Sequence, residues 1–260
     1  MKNFFTKTGN LQASFSRRTF VSAAVSGTAL TALSFIPLSG MAIEPAEPKQ
    51  TNSSTDKKLV VGMVVFEGFQ LLDVFGPLEM FGGLRDKVTI LMIGEKMGNI
   101  KSGAGPAVAV NHTFADVPAL DVLMIPGGMG TRREVNNVPF IAAFKSLAEA
   151  TPNVASICTG SAVLARTGLI DGLKATTNKR AYKWATSQGE KVNWVAQARW
   201  VEDGKYFTSS GISAGTDMAL ALIDKLLGRE TATNVANNAE YEWNSDSHHD
   251  PFAKLNGLVK

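Results

Sequence analysis

The chain contains a single cysteine, Cys158, and its neighbours are those of a nucleophile. An apolar segment, residues 154–157, runs directly into this cysteine, and the small residues Thr159 and Gly160 follow it. A strand that turns sharply into a helix needs small neighbours and presents the nucleophile at the carboxyl edge of a sheet. The first amides of that helix favour a thiolate and lower the thiol pKa, and the Thr159 amide is a candidate oxyanion donor. The alternative is a small buried apolar residue, which is what most free cysteines are.

A glycine-rich turn follows another apolar run, in the segment Ile125-Pro126-Gly127-Gly128-Met129-Gly130. Glycines let a backbone approach a ligand closely, so the amides of Gly127 and Gly128 are candidates for an anion or oxyanion pocket opposite the elbow. Glycine clusters also simply make turns. Because the segment lacks the Lys-Ser/Thr ending of a phosphate loop, it does not indicate nucleotide binding, and we expect no cofactor.

Asp73 lies among apolar residues after the first predicted strand, where an unpaired carboxylate is costly to bury. It is either an acid that acts with Cys158 or a residue that stabilises the start of a helix. The chain has three histidines, and none is close to Cys158 in sequence. His112 falls in a turn-like stretch, whereas His248 and His249 fall in a polar segment that we expect to be solvated surface. No Cys/His spacing matches a zinc site, so no metal is predicted.

The remaining pattern predicts the elements that must position these residues. Apolar runs typical of strands buried on both faces occur at residues 59–66, 88–93, 122–125 and 154–157. Helical spacing occurs at residues 77–84, 139–150, 161–167, 179–187 and 212–227, and short added strands are predicted at 192–195, 199–201 and 206–209. This alternation predicts a single α/β domain, a three-layer sandwich with a mostly parallel sheet and a nucleophile elbow.

The first 42 residues have the character of a removable leader. A twin-arginine pattern that contains Arg17 and Arg18 precedes a mildly apolar stretch, and small residues follow near residue 42. We therefore interpret residues 1–42 as a twin-arginine signal peptide of a periplasmic or secreted bacterial protein, and the polar, proline-containing residues 43–58 as a flexible linker. The alternative is an uncleaved anchor over residues 20–38, which Pro37 and the few large aliphatic residues disfavour.

The charge balance argues against a nucleic-acid partner. The formal net charge is +3, but residues 1–42 contain four basic residues and no acidic one, so the rest of the chain is close to neutral. One cysteine also excludes an intramolecular disulfide. An unpaired thiol in an oxidising compartment is a liability unless it is buried or used.

Taken together, several motifs resemble the ThiJ/PfpI superfamily, which has a class I glutamine-amidotransferase-like fold. The motifs are the Asp73 segment with Phe75-Gly76-Pro77-Leu78-Glu79, Pro126-Gly127-Gly128, Ile157-Cys158-Thr159-Gly160, Ala175-Thr176-Thr177 and the segment from Gly211 to Leu220. The resemblance covers residues 59–252 and leaves residues 253–260 as a tail. It implies a homodimer that acts on a small molecule. From the interpretation of residues 1–42 as a removable leader, we expect no stable membrane insertion after cleavage.

Aspartate after the first strand, combined with a Cys-Thr-Gly elbow, is similar to the isocyanide hydratase branch, which converts an isocyanide to an N-substituted formamide. Related regulators carry a helix-turn-helix module after this domain, and we expect none here because the chain ends at Lys260. Asn178 stands where many relatives have histidine, so a Cys-His dyad is not expected. The alternatives are a redox-sensing or ligand-binding protein without catalysis, or a glyoxalase-like enzyme that detoxifies carbonyl compounds.

The resemblance to the hydratases also implies a mechanism. If Asp73 and Cys158 face one pocket, their negative forms repel each other and the pair shares one proton over a broad pH range. The helix amides would place the charge on sulfur and leave Asp73 as the acid. The amides of Gly128 and Thr159 would stabilise the developing charge.

Overall fold

The computed structural model describes residues 57–260. The strands are β1 (Leu59–Val64), β2 (Val88–Gly94), β3 (Gly98–Lys101), β4 (Ala107–Val110), β5 (His112–Thr113), β6 (Val122–Ile125), β7 (Asn153–Ile157), β8 (Lys174–Ala175), β9 (Asn193–Trp194), β10 (Trp200–Asp203) and β11 (Tyr206–Ser209). The α-helices are α1 (Leu71–Gly82), α2 (Thr131–Glu134), α3 (Val138–Ala150), α4 (Gly160–Arg166), α5 (Tyr182–Thr186), α6 (Ala214–Leu227), α7 (Arg229–Asn238) and α8 (Pro251–Leu255).

A seven-stranded sheet forms the centre of this region, in the order β10-β11-β7-β6-β1-β2-β5. Its strands pair in parallel, apart from the antiparallel pair of β10 with β11. Every residue of β6 and β7 is buried, which requires cover on both faces of the sheet. Helices α1, α6 and α7 pack together as one group, and α2, α3, α4 and α5 form another. The predicted α/β class with a mostly parallel sheet is confirmed.

The four main strands lie where the apolar runs predicted them, but the first helix does not begin where the sequence indicated. Helix α1 begins at Leu71, six residues before Pro77, and contains Pro77 in its interior. The prediction was wrong because proline is ordinarily a first-turn residue. Here Pro77 is buried, and the adjacent Gly76 lets the helix pack closely against Thr216 of α6.

The C-terminal segment is more ordered than its polar sequence indicated. Helices α7 and α8 were not predicted, and the expected boundary at residue 252 falls inside α8. The backbone of residues 197–200 bonds to Ser247 and Asp250, and Ala253 is fully buried. The His248 side chain is solvent-exposed. The segment from residue 245 onward therefore docks against the domain while its histidine points outward.

The predicted leader, residues 1–42, and all but the last two residues of the predicted linker lie outside the described residues, and both stay predictions. Within residues 57–260, no helix combines the length and the apolar character needed to cross a bilayer.

Candidate active site

Cys158 occupies a sharp turn between β7 and α4, with the left-handed backbone angle φ 57°. Such a conformation is strained for a non-glycine residue and persists only where neighbours hold it. The Cys158 amide donates to the carbonyls of Ser209 and Ser210, and its carbonyl accepts from the hydroxyls of Ser161 and Thr177. The predicted elbow geometry is confirmed, and hydrogen bonds at both the amide and the carbonyl of Cys158 hold the turn in place.

The position after Thr159 can be occupied only by a glycine. A Cβ at Gly160 would lie 2.5 Å from the Ile125 carbonyl oxygen and 2.7 Å from that of Pro126. The elbow therefore packs directly against the carboxyl end of β6. Parallel strands bring their carboxyl ends to one edge of a sheet, so the elbow, the glycine-rich turn and the Asp73 segment meet there.

Asp73 lies in the first turn of α1, yet its carboxyl does not cap that helix. Its Oδ2 accepts a 2.9 Å hydrogen bond from the Gly127 amide, and its Oδ1 has no hydrogen-bond partner within residues 57–260. The side chain is 0% exposed. The Cys158 thiol is close enough to Asp73 for each group to shift the pKa of the other. The structure thus brings the two predicted catalytic residues together.

The glycine-rich turn approaches other parts of the protein backbone. A Cβ at Gly127 would lie 2.6 Å from the Thr159 amide nitrogen, and one at Gly128, where φ is 123°, would collide with the Gly68 carbonyl. The Gly127 amide is used by Asp73, and the Gly128 amide donates to the Thr159 hydroxyl at 3.1 Å. Both amides are therefore engaged within the protein, whereas the Thr159 amide faces the Cys158 sulfur.

Asn178 has a role that sequence reasoning missed. Its side chain lies beside the Cys158 sulfur and acts to lower the thiol pKa, while its Oδ1 accepts from the Ala181 amide at 2.9 Å. A Cβ at Gly211 would lie 2.8 Å from the sulfur and would also collide with Asn178. The only sequence signal was negative, since asparagine stands where a histidine was expected.

Burial dominates the electrostatics of the pair. It raises the pKa of Asp73 from 3.8 to about 7, although the Gly127 amide and the Cys158 thiol act in the opposite direction. Burial also raises the pKa of Cys158 well above its usual range, and the charge of Asp73 adds to this increase. The expected lowering of the thiol pKa is therefore wrong, because lost hydration outweighs the amides of the short helix α4. As pH rises, Asp73 loses its proton first and faces a neutral thiol.

The sulfur opens onto a cavity of about 400 Å³. Its lining consists of Gln70, Gly128, Met129, Arg132, Cys158, Thr159, Asn178, Arg180, Ala181 and Ile212. Asp73 and Gly127 are not part of this lining. Cys158 is 5% exposed, so only a small part of this residue is accessible from the cavity. None of the histidines lines it, and within the described part of the chain no group of three or more His, Cys, Asp or Glu is placed to hold a metal ion.

Comparisons with known proteins show the family and the fold of this chain. A family model described as the DJ-1/PfpI family matches residues 59–225. The chain is 34% identical over 183 residues to the isonitrile hydratase of Pseudomonas putida, covering 70% of this chain and 78% of that protein. It is 31% identical over 192 residues to the HTH-type transcriptional regulator GbdR of Pseudomonas aeruginosa, covering 70% of this chain and 50% of the regulator. A solved THiJ/PfpI family protein from Pseudomonas syringae matches with a TM-score of 0.67 and 27% identity, covering 77% and 82% of the two chains.

Proposed function

This chain belongs to the DJ-1/PfpI family, and from that premise we propose that it is a cysteine-dependent hydratase that converts small isocyanides to N-substituted formamides. One observation carries the proposal: a fully buried carboxyl with one unpartnered oxygen lies beside a thiol on a strained elbow that opens onto a small cavity. The similarity to the isonitrile hydratase of P. putida supports the choice of reaction.

In the first half of the cycle, the Asp73 carboxylate accepts the Cys158 proton as sulfur bonds to the terminal carbon of the isocyanide. Asp73 then delivers that proton to the same carbon, which gives a thioimidate bound to the enzyme. The assignment of Asp73 as the base follows from its pKa of about 7, which is lower than that of the thiol. The Thr159 amide and the Asn178 side chain stabilise charge that develops on sulfur.

In the second half, water adds to the thioimidate carbon while Asp73 transfers a water proton to nitrogen. The hydroxyl proton of the adduct then returns through Asp73 to sulfur as the carbon–sulfur bond breaks. One water is consumed, one hydrogen ends on carbon and one on nitrogen, and the thiol is regenerated. A group that donates and accepts protons in turn works best with a pKa near the working pH, as Asp73 has.

The test is to measure formamide production from a small alkyl isocyanide by the purified protein. Cys158→Ser should abolish turnover, because a hydroxyl is a far poorer nucleophile here. Asp73→Asn should lower kcat by about 100-fold or more, the usual scale of general acid–base catalysis. Asp86→Asn, which removes an exposed carboxylate, is the control and should match the wild type.

Two outcomes would contradict the proposal. Near-full activity of Asp73→Asn with an inactive Cys158→Ser would remove Asp73 from the chemistry and return it to a helix-start role. Absence of isocyanide turnover by folded wild-type protein would favour the other interpretations, and turnover of methylglyoxal would then select the carbonyl-detoxifying enzyme.

We also propose that the protein is exported by the twin-arginine route and acts as a homodimer. Arg17, Arg18 and the small residues near residue 42 support export, and the family resemblance supports the dimer. Replacing both arginines by lysine should leave uncleaved precursor in the cytoplasm. Normal periplasmic recovery of that variant would contradict the route, and recovery of replacements elsewhere in residues 1–42 provides the control.

A further inference from the structure

Two arginines, Arg132 and Arg180, line the cavity at Cys158 without a carboxylate partner. Among residues 57–260, arginine ion pairs are made by Arg133, Arg199 and Arg229. Arg132 and Arg180 make none, and their guanidinium groups take part in no hydrogen bond within that part of the chain. A guanidinium carries a permanent positive charge and several donors in a rigid fork, so both remain available to a ligand.

Arg132 is nevertheless held in place. Its guanidinium carbon lies 4.2 Å from the centroid of the Trp184 ring of α5. Stacking on an aromatic face orients a guanidinium plane and leaves its N–H edges unused. Arg132 is therefore positioned before a ligand arrives, which lowers the entropy cost of binding.

The surroundings of this arginine pair are positively charged. No acidic side chain lines the cavity. An adjoining cavity of about 320 Å³ shares Arg132 and Arg180, adds the basic residues Lys179 and Lys183, and also has no acidic lining residue. A concave site with charge of one sign concentrates ligands of the opposite charge.

We propose that the substrate class of this site is a small isocyanide that carries a carboxylate, which Arg132 and Arg180 bind. The inference rests on the proposed hydratase function for the reaction, and it adds which isocyanides the site selects. Guanidinium groups pair with carboxylates through parallel, charge-assisted hydrogen bonds, which orients the substrate as well as binding it. The carboxylate is unchanged by the reaction, and addition of water to the isocyanide gives an N-formyl amino acid.

The kinetic experiment compares isocyanoacetate with its neutral methyl ester in the full-length protein. The wild type should prefer the carboxylate by about 10-fold or more in kcat/KM, and the preference should shrink as salt is added. Arg180→Gln and Arg132→Gln should each reduce the preference for the carboxylate over the ester about 5-fold, because each removes one guanidinium that pairs with the carboxylate. Arg85→Gln, at an exposed arginine that lines neither cavity, is the control and should keep the wild-type preference.

A binding experiment separates this inference from the proposed function. N-formylglycine and its methyl ester are titrated into the wild type and the same variants, and binding is followed by NMR. If neither isocyanide is turned over, the proposed function fails, and tighter binding of N-formylglycine that depends on Arg132 and Arg180 still supports the anion site. Equal binding of acid and ester, or a preference that survives both arginine substitutions, overturns the inference whether or not isocyanides react.

Discussion

Asp73 and Asp217 are both 0% exposed, yet the protein surrounds these two carboxylates in opposite ways. Asp73 receives one amide hydrogen bond, and its second oxygen has no partner among residues 57–260. Asp217 accepts from Arg199 Nε at 2.6 Å, from the Tyr241 hydroxyl at 2.9 Å and from the Asn244 amide at 3.0 Å. Burial is the same, and the number of partners differs.

The difference separates structural from chemical use of a buried acid. Removing a carboxylate from water is costly unless a counter-charge and hydrogen bonds replace the lost hydration. Asp217 has both, and it ties α6 to the segment that follows α7 and to Arg199. Asp73 lacks a counter-charge, so its pKa rises to about 7 and it can exchange a proton at neutral pH.

The largest effect expected is on the structural acid. Arg199→Met should destabilise the protein by about 3–5 kcal/mol, because it leaves Asp217 buried without its counter-charge. Lys191→Met, which removes the exposed partner of Asp171, should cost less than about 1 kcal/mol. Urea unfolding of both variants checks this. A loss below about 1 kcal/mol for Arg199→Met would show that Asp217 does not depend on the ion pair.

For Asp73, the expected effect is instead on how the free energy of unfolding depends on pH. A carboxyl whose pKa is raised on folding stabilises the protein fully below its unfolded pKa, and that contribution is lost as pH rises through the folded pKa. For Asp73, with a pKa raised from 3.8 to about 7, the penalty above that pH is about 4 kcal/mol. Asp73→Asn removes the titration, so its stability relative to the wild type should increase between pH 4 and pH 8.

The measurement is the difference in unfolding free energy between the two proteins at each pH, since groups away from Asp73 titrate equally in both and the raised pKa of Cys158 keeps its thiol protonated over this range. Asp116→Asn, which removes an exposed carboxylate, is the control and should not gain stability as pH rises. Parallel curves for the wild type and Asp73→Asn would contradict the raised pKa and, with it, the assignment of Asp73 as the base.

Local pattern accounts for what the sequence predicted correctly. The apolar runs that became β1, β2, β6 and β7 are continuous, and the elbow at Cys158 is a sequence of adjacent small residues. Both features depend on near neighbours along the chain, which a single sequence displays directly. The pairing of Asp73 with Cys158 was expected instead from the resemblance to the isocyanide hydratases, and not from local pattern.

Features that depend on distant parts of the chain were not predicted. The thiol pKa is set by the depth of burial, which the helix-amide argument ignored. The contact of Asn178 with the sulfur depends on the segment after β8 returning to the elbow, and the unpaired state of Arg132 depends on its stacking against Trp184. Sequence spacing contains none of this, because each partner is supplied by another element.

The smallest effect is expected from loss of the hydrogen bond that Tyr241 donates to Asp217, and it tests how much each partner contributes to stabilising that carboxylate. Burial, and then the charge of Asp217, raise the pKa of Tyr241 to about 12, so its hydroxyl stays protonated and donates to the carboxylate. Tyr241→Phe should cost about 1 kcal/mol, because a hydrogen bond to a charged group is lost while Arg199 and the Asn244 amide remain. Tyr182→Phe is the matched control, since that half-buried hydroxyl makes no hydrogen bond within residues 57–260, and its cost should be close to zero. Urea unfolding at pH 7 distinguishes the cases. If Tyr241→Phe loses as much unfolding free energy as Arg199→Met, Asp217 depends on every one of its partners. If Tyr241→Phe and Tyr182→Phe lose the same amount, the ion pair alone keeps this carboxylate stable.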